Sequence, residues 1–166
     1  MADKQRKIEL LAPAGNWERF VTAIQFGADA VYLAGTSFGM RSFAGNFSPE
    51  ELPEAVAFAH AHVAEAVRYA HERSVKVYVT VNAFMRDEDL ENLPETIAAL
   101  DAAGADALII NDPSVIRIAK RVAPNLPLHL STQANTLNSE AALFWHEQGI
   151  ERIVLARELT LSQIAQ

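Results

Sequence analysis

The stretch VKVYVTVN, from Val75 to Asn82, decides the fold. Val75, Val77, Val79 and Val81 fall on one face of an extended chain, and Lys76, Tyr78, Thr80 and Asn82 on the other, because successive side chains of a strand point to opposite sides. The valine face suits a cover of helices. The second face is too polar for a doubly wound sheet sandwiched between helices, but suits the lumen of a (β/α) barrel. The stretch LHLSTQANTLN, Leu128 to Asn138, has the same character: His129, Ser131 and Gln133 alternate with Leu128, Leu130 and Thr132, and amides and hydroxyls crowd its far end.

Around these two stretches one phrase keeps returning. GADAVYL (Gly27–Leu33) recurs as GADALII (Gly104–Ile110) and more loosely as GIERIVL (Gly149–Leu155), each after an amphipathic segment with helical spacing. Glycine ends a helix because it takes the left-handed conformation without a Cβ clash, and the short β-branched run that follows reads as a buried parallel strand. Six strands are predicted, at about 8–13, 30–34, 75–82, 107–111, 127–133 and 152–157. Helical segments alternate with them, which predicts a parallel α/β sheet with right-handed crossovers. Ser48-Pro49-Glu50-Glu51 supplies an N-cap, an N1 proline and first-turn acids for one helix, and Asp112-Pro113 opens another.

A complete eight-fold barrel takes about 250 residues, and this chain has 166, ending inside LTLSQIAQ. The reading is one incomplete α/β domain over residues 1–166: a truncated TIM-type barrel of six βα units, a fragment of a longer protein. Six strands cannot close a barrel built for eight. The outer strands should therefore present unpaired edges, through which the chain is expected to form a homo-oligomer. The same openness should wet Tyr32 and Tyr78.

A second repeat lies inside the third unit. EAVAFAHAH (Glu54–His62) is echoed by EAVRYAHER (Glu65–Arg73), displaced by 11 residues. Eleven residues are close to three helical turns, so both copies present one face of a continuous helix over 54–73, and a duplication would lengthen it by about 16 Å.

Composition bounds the function. The net charge is −7, from 21 acidic and 14 basic residues, so the surface repels phosphate on average and sequence-independent nucleic-acid binding by this chain alone is disfavoured. Cysteine is absent, which excludes disulfides and thiolate-ligated metal within the chain. No apolar run approaches the roughly 20 residues a bilayer span requires. MADKQRK is charged and lacks a following apolar segment, which fits a cytoplasmic protein.

In parallel barrels the ligand site lies at the carboxyl ends of the strands. The candidates there are Arg41, Asn82, Asn111, Gln133, Asn135, Arg157 and Glu158, with Asn16 and Gly35 in the neighbouring loops. Each has a structural alternative. Asn111-Asp112-Pro113 is a good helix N-cap, Asn135 suits a turn through its own backbone, and Arg157-Glu158 reads equally as an ion pair bracing the rim. Asn16 reads as shaping the first loop or capping its helix. Gln133 is harder to set aside, since a buried amide needs partners at both ends. His71, on the second copy, reads as solvated. His129 and Ser131 share a strand face about 7 Å apart, too far for a nucleophile–base hydrogen bond. Zinc-protease, nucleophile-elbow and phosphate-cradling motifs are missing. The residues thus describe a polar, anion-tolerant pocket with Arg41 and Arg157 as its cations, and no catalytic residue is assigned.

Taken together, ELLAPAGNWERFVTAIQFGADAVYLAG, FGMRSFAGNFS, KVYVTVNAF, DALIINDPS and LHLSTQANTLNSEAALFWHEQGIERIVLARELTL resemble the amino-terminal part of peptidase family U-32, the collagenase-like peptidases. The resemblance covers almost the whole chain in order. It implies a protein classed as a peptidase (hydrolase), although several members act in oxygen-independent hydroxylation of a tRNA wobble uridine with prephenate as oxygen source, of ribosomal RNA, or of ubiquinone precursors. RNA or a small anionic aromatic molecule is accordingly the implied partner of the full-length protein. Such members carry an iron–sulfur cluster on cysteines, and those cysteines lie outside this sequence. Ser114 and Ser74 depart from the glycines usual in the family, and the second departure directly follows the 11-residue repeat. Two readings stand: an RNA-hydroxylating protein's barrel portion, inactive alone, and a non-catalytic half-barrel that self-associates or assembles with a partner chain.

Overall fold

The computed structural model describes residues 8–34 and 52–165; within the helix at 52–71, side chains are described from His62 onward. The Ser48–Glu51 helix start lies outside the described residues. Six parallel strands, β1 (Leu11–Pro13), β2 (Ala30–Ala34), β3 (Lys76–Val81), β4 (Ala107–Ile110), β5 (Leu128–Leu130) and β6 (Arg152–Ile153), form one sheet in sequence order. Among the described residues six α-helices alternate with them: α1 (Trp17–Gln25), α2 (Leu52–His71), α3 (Leu93–Ala102), α4 (Pro113–Val122), α5 (Ser139–Glu147) and the short α6 (Leu161–Ile164). The architecture is a truncated (β/α) barrel, as its valine-rich third strand predicted.

The two faces of β3 divide as the alternation requires. Val77, Val79 and Val81 are buried, with Val31, Leu108, Ile110, Leu128 and Leu130, in the main core beneath the helices. Helices contribute to that core at helical spacing: Val63, Val67 and Ala70 of α2, Leu93, Ile97 and Leu100 of α3, Val115 and Ala119 of α4. On the concave side Ala30, Tyr78, Ala107 and Ile109 make a second, smaller cluster with Leu11 and Tyr32. The lumen therefore starts as a packed floor.

The GAD phrase has a specific structural cause. Gly27, Gly104 and Gly149 end their helices at φ of 91°, 84° and 77°, where a Cβ would be strained. The aspartate of each GAD then brackets the preceding strand. Asp29 donates its N–H to Leu10 O at 3.0 Å and accepts Leu10 N–H on its carboxylate at 3.0 Å. Asp106 does the same to Val77, at 2.9 and 2.8 Å. In the looser third copy Glu151 keeps only the backbone half, to Leu128 O at 2.9 Å. Ser74 occupies the glycine position before β3 with φ of 58°, so the sequence departs from glycine where the backbone favours it.

The α2 helix runs unbroken from the first copy of the repeat into the second and ends at His71, two residues short of the expected Arg73, and the second copy is packed. Tyr69 meets Trp17 and Phe20, and the Arg73 guanidinium lies 3.7 Å from the centroid of the Tyr69 ring. His71 is exposed, as expected, and its Nε2 lies 2.8 Å from the Asp106 carboxylate.

Three predicted strands are shorter than expected by three residues or more. The edge strands β1 and β6 each have a neighbour on one side only, so their ladders fray to three and two residues. The strand expected to reach residue 133 stops at Leu130. Ser131 accepts Gln133 N–H on its side chain, and residues Thr132–Ala134 wind into a 3₁₀ turn ended by Asn135 in the left-handed conformation. A hydroxyl that bonds its own backbone two residues on competes with the ladder. Gln133 therefore does not continue the alternation of His129 and Ser131.

Candidate functional site

At the amino-terminal end of the lumen the polar side chains close on one another. Tyr78 Oη donates to both carboxylate oxygens of Glu9 at 3.0 Å. Arg152, the first residue of β6, donates to the same carboxylate through Nη1, lies 3.4 Å from Tyr78 Oη, and so ties one edge of the sheet to the other. His129 packs edge-on against the Tyr78 ring, centroids 4.7 Å apart. Burial pushes the Tyr78 hydroxyl up to about 12, with the Glu9 hydrogen bond adding to the rise. Burial raises Glu9 too, but the hydrogen bonds from Arg152 and Tyr78 outweigh it and hold the carboxyl below its ordinary value. Desolvation, helped by the Arg152 charge, lowers His129 to about 4 and keeps it neutral. Tyr78 is 2% exposed, so the wetting expected of it does not occur, because Glu9, Arg152 and His129 cover it, whereas Tyr32 is only partly buried.

The carboxyl end is different. Val81, Ile110 and Leu130 form the last paired row of β3, β4 and β5. One residue further stand Asn82, Asn111 and Ser131, side by side on adjacent strands, with Ser131 N–H still donating to Ile110 O at 2.6 Å. Alternation from Tyr78, Ile109 and His129 turns this row toward the lumen. Ser131 is buried, and its hydroxyl donates to Gln133 Oε1 at 3.2 Å, which draws Gln133 to the row. Asn111 Oδ1 is buried and has no hydrogen-bond partner. The Asn111-Asp112 pair thus divides its work: Asp112 caps α4 by accepting Ser114 N–H and Oγ–H at 2.8 and 2.7 Å, and Asn111 does not cap.

The structure brings Asn82, Asn111 and Gln133 together and leaves the other candidates apart. Asn135 is exposed at φ 50°, ψ 48°, the turn-forming role. Arg157 and Glu158 are exposed in the turn after β6, and among the ion pairs of the described residues they make none with each other, so the expected brace is not formed. Asn16 caps α1 by accepting Arg19 N–H at 2.9 Å. Arg41 and Gly35 lie outside the described residues. Sequence reasoning missed Thr136, 1% exposed with Oγ1 unpartnered, because nothing in Asn-Thr-Leu marks that hydroxyl as buried. It also missed the Glu9–Arg152 contact, 143 residues apart.

The residues of this chain do not fit an iron–sulfur cluster. Cysteine is absent, and no group of three or more His, Asp or Glu side chains among the described residues is arranged to hold a metal ion. No described helix is long and apolar enough to cross a membrane. The mouth offers neutral amides and hydroxyls, groups able to hydrogen-bond a polar ligand, and its described residues form no nucleophile–base pair.

A tRNA hydroxylation protein P1 from Bacillus subtilis (strain 168) is 42% identical over 159 residues, covering 96% of this chain and 35% of its own length. The 23S rRNA 5-hydroxycytidine C2501 synthase of Escherichia coli (strain K12) is 37% identical over 164 residues, 99% of this chain and 23% of its own. The chain therefore spans about a third or less of these curated relatives. Among solved structures QR15, an aldolase, superposes with a TM-score of 0.64 at 19% identity, covering 90% of this chain and 69% of that one, a likeness of fold alone. The model of peptidase family U32 matches residues 15–65 and 58–166, two stretches that overlap inside the repeated helix α2. With those matches running from residue 15 to residue 166, the chain belongs to peptidase family U32.

Proposed function

We propose that this chain is the barrel portion of a cytoplasmic protein that hydroxylates RNA without molecular oxygen, with a tRNA wobble uridine as its substrate. The observation that carries this reading is 42% identity with a tRNA hydroxylation protein along nearly the whole chain. The neutral amide row at the mouth suits it, since a base is held by hydrogen bonds and needs no nucleophile from the protein. A small anionic aromatic molecule is the oxygen donor, and an iron–sulfur cluster sits on cysteines outside this sequence. Peptide hydrolysis is the weaker reading, because the described mouth lacks a nucleophile–base pair.

The test is restoration. The gene that carries this sequence, expressed in a strain deleted for its own tRNA hydroxylation proteins, should restore the hydroxylated wobble nucleoside in digested tRNA, read by mass spectrometry. A folded, expressed product that restores none, and instead cleaves gelatin, would overturn the reading.

A second reading, self-association of the half-barrel, has its own observation. Most of the exposed large apolar residues among those described lie at the two end units: Ile8, Leu10, Trp17 and Phe26 beside β1, and Leu143, Phe144, Val154, Leu161 and Ile164 beside β6. Unpaired strand edges at both places add backbone donors and acceptors for a partner. Light scattering from 1 to 100 μM should give a dimeric mass for the 166-residue chain; a monomeric mass throughout removes this reading.

A further inference from the structure

Resting on the hydroxylation reading, we infer that Asn111, flanked by Asn82 and Ser131, reads the hydrogen-bonding edge of a pyrimidine base. Buried acceptors in folded proteins are almost always paired, and Asn111 Oδ1 is not. The amide is aimed, by strand alternation, into the carboxyl end of the lumen where such folds bind ligands. A donor from a ligand would satisfy it there. Rotating the amide by 180° puts Nδ2 in that place, and the position then lacks an acceptor instead.

The chemistry of the row narrows the ligand. Asn82, Asn111 and Ser131 are uncharged, and so are the side chains of Thr80 and Ile109 one step below; His129 beside them is held neutral. Among the described residues this row presents no cation, and its neutral amides and hydroxyl suit an uncharged polar group. A primary amide offers one acceptor and one donor side by side. Its complement is a group with a donor and an acceptor on the same side: the N3–H and O4 of uracil, or the N4–H and N3 of cytosine. A trans peptide points its N–H and C=O in opposite directions and cannot engage one amide through both. The two amide orientations serve uracil and cytosine alike. Asn82 and Ser131, each about 5 Å away on the neighbouring strands, flank that edge and bound the width of a single ring.

Nuclear magnetic resonance of the ¹⁵N-labelled chain tests this with uridine, cytidine and 3-methyluridine at millimolar concentration. Uridine and cytidine should move the Asn111 side-chain amide and the backbone amides of Asn82 and Ser131. 3-Methyluridine, which lacks the N3 donor, should bind about five- to tenfold more weakly, the loss of one hydrogen bond. Asn111→Leu should remove the response while remaining folded by thermal melt; Asn111→Asp, which keeps the shape and loses a donor, replaces it if the leucine variant does not fold. Equal responses to uridine and 3-methyluridine, no response at Asn111, or an undiminished response in the folded variant each overturn the assignment. Failure here is separable from failure of the reaction reading. Restored hydroxylation in the cell with no uridine response removes the base-edge site alone, and a uridine response without restored hydroxylation removes the reaction alone.

Discussion

The two ends of the half-barrel handle their polar groups in opposite ways. At the floor, Glu9, Tyr78 and Arg152 satisfy one another, and Asp29 and Asp106 bracket the strands beside them. At the mouth, Asn111 Oδ1 and Thr136 Oγ1 are buried without partners. A buried polar group left unpaired costs about 1–3 kcal/mol, so the mouth is held at a cost in stability that the floor does not bear. The difference teaches where the fold spends its polar groups. Floor residues satisfy one another, and the mouth leaves buried polar atoms open, which is what the proposed base-edge site draws on.

That contrast can be broken by experiment. The largest effect should come from the floor: Tyr78→Ala removes a fully buried ring that touches His129 and anchors Glu9, and should lower unfolding free energy by about 4 kcal/mol in urea titration. A loss below about 1 kcal/mol would mean the floor is not a packed core.

Acid should act on the same end. The folded value of His129, about 4, lies below its unfolded value of 6.5. The unfolded chain therefore takes up a proton first as pH falls, and stability is full above 6.5 and declines through the window down to 4. The decline should be no more than about 2 kcal/mol, because the Arg152 charge that contributes to the shift is itself half-exposed and screened. In His129→Phe the slope over this window should vanish, leaving only carboxylate titration at lower pH. An unchanged slope in that variant would place the acid sensitivity elsewhere.

A smaller gain is expected where α2 joins β3, also at the floor end. Ser74 has φ of 58°, and relieving a non-glycine residue of that conformation with Ser74→Gly should stabilise the fold by about 0.5–1 kcal/mol, net of the entropy glycine adds to the unfolded chain. Destabilisation would mean that the serine side chain makes up for its backbone.

The smallest change should come at the mouth, and it sharpens the comparison most. Asn111→Leu replaces an unsatisfied amide by an apolar group of similar size, and thermal unfolding should move by less than about 0.5 kcal/mol or rise. A loss of 2 kcal/mol or more would show that Asn111 is a structural residue like those of the floor.

Much of this was readable in the chain alone. The alternation of Val75–Asn82 determined which face meets helices and which meets a lumen, because side-chain direction in a strand has a fixed period of two. The glycines at 27, 104 and 149 marked helix ends, because only a left-handed residue turns the chain there. Asn82, Asn111 and Gln133 were identified as mouth residues by their place just past the strands. Local rules could not settle what those residues do. Whether Asn111 caps a helix or faces a ligand depended on Asp112 taking the cap, and whether Gln133 extends a strand depended on Ser131 bonding its own backbone. The Glu9–Tyr78–Arg152 floor was legible nowhere in the sequence, since it joins positions 9, 78 and 152 that only the sheet's curvature brings within hydrogen-bond reach. Periodicity assigns a side chain to a face; which of its neighbours it meets across that face, and which buried atoms are left without one, is decided by tertiary packing.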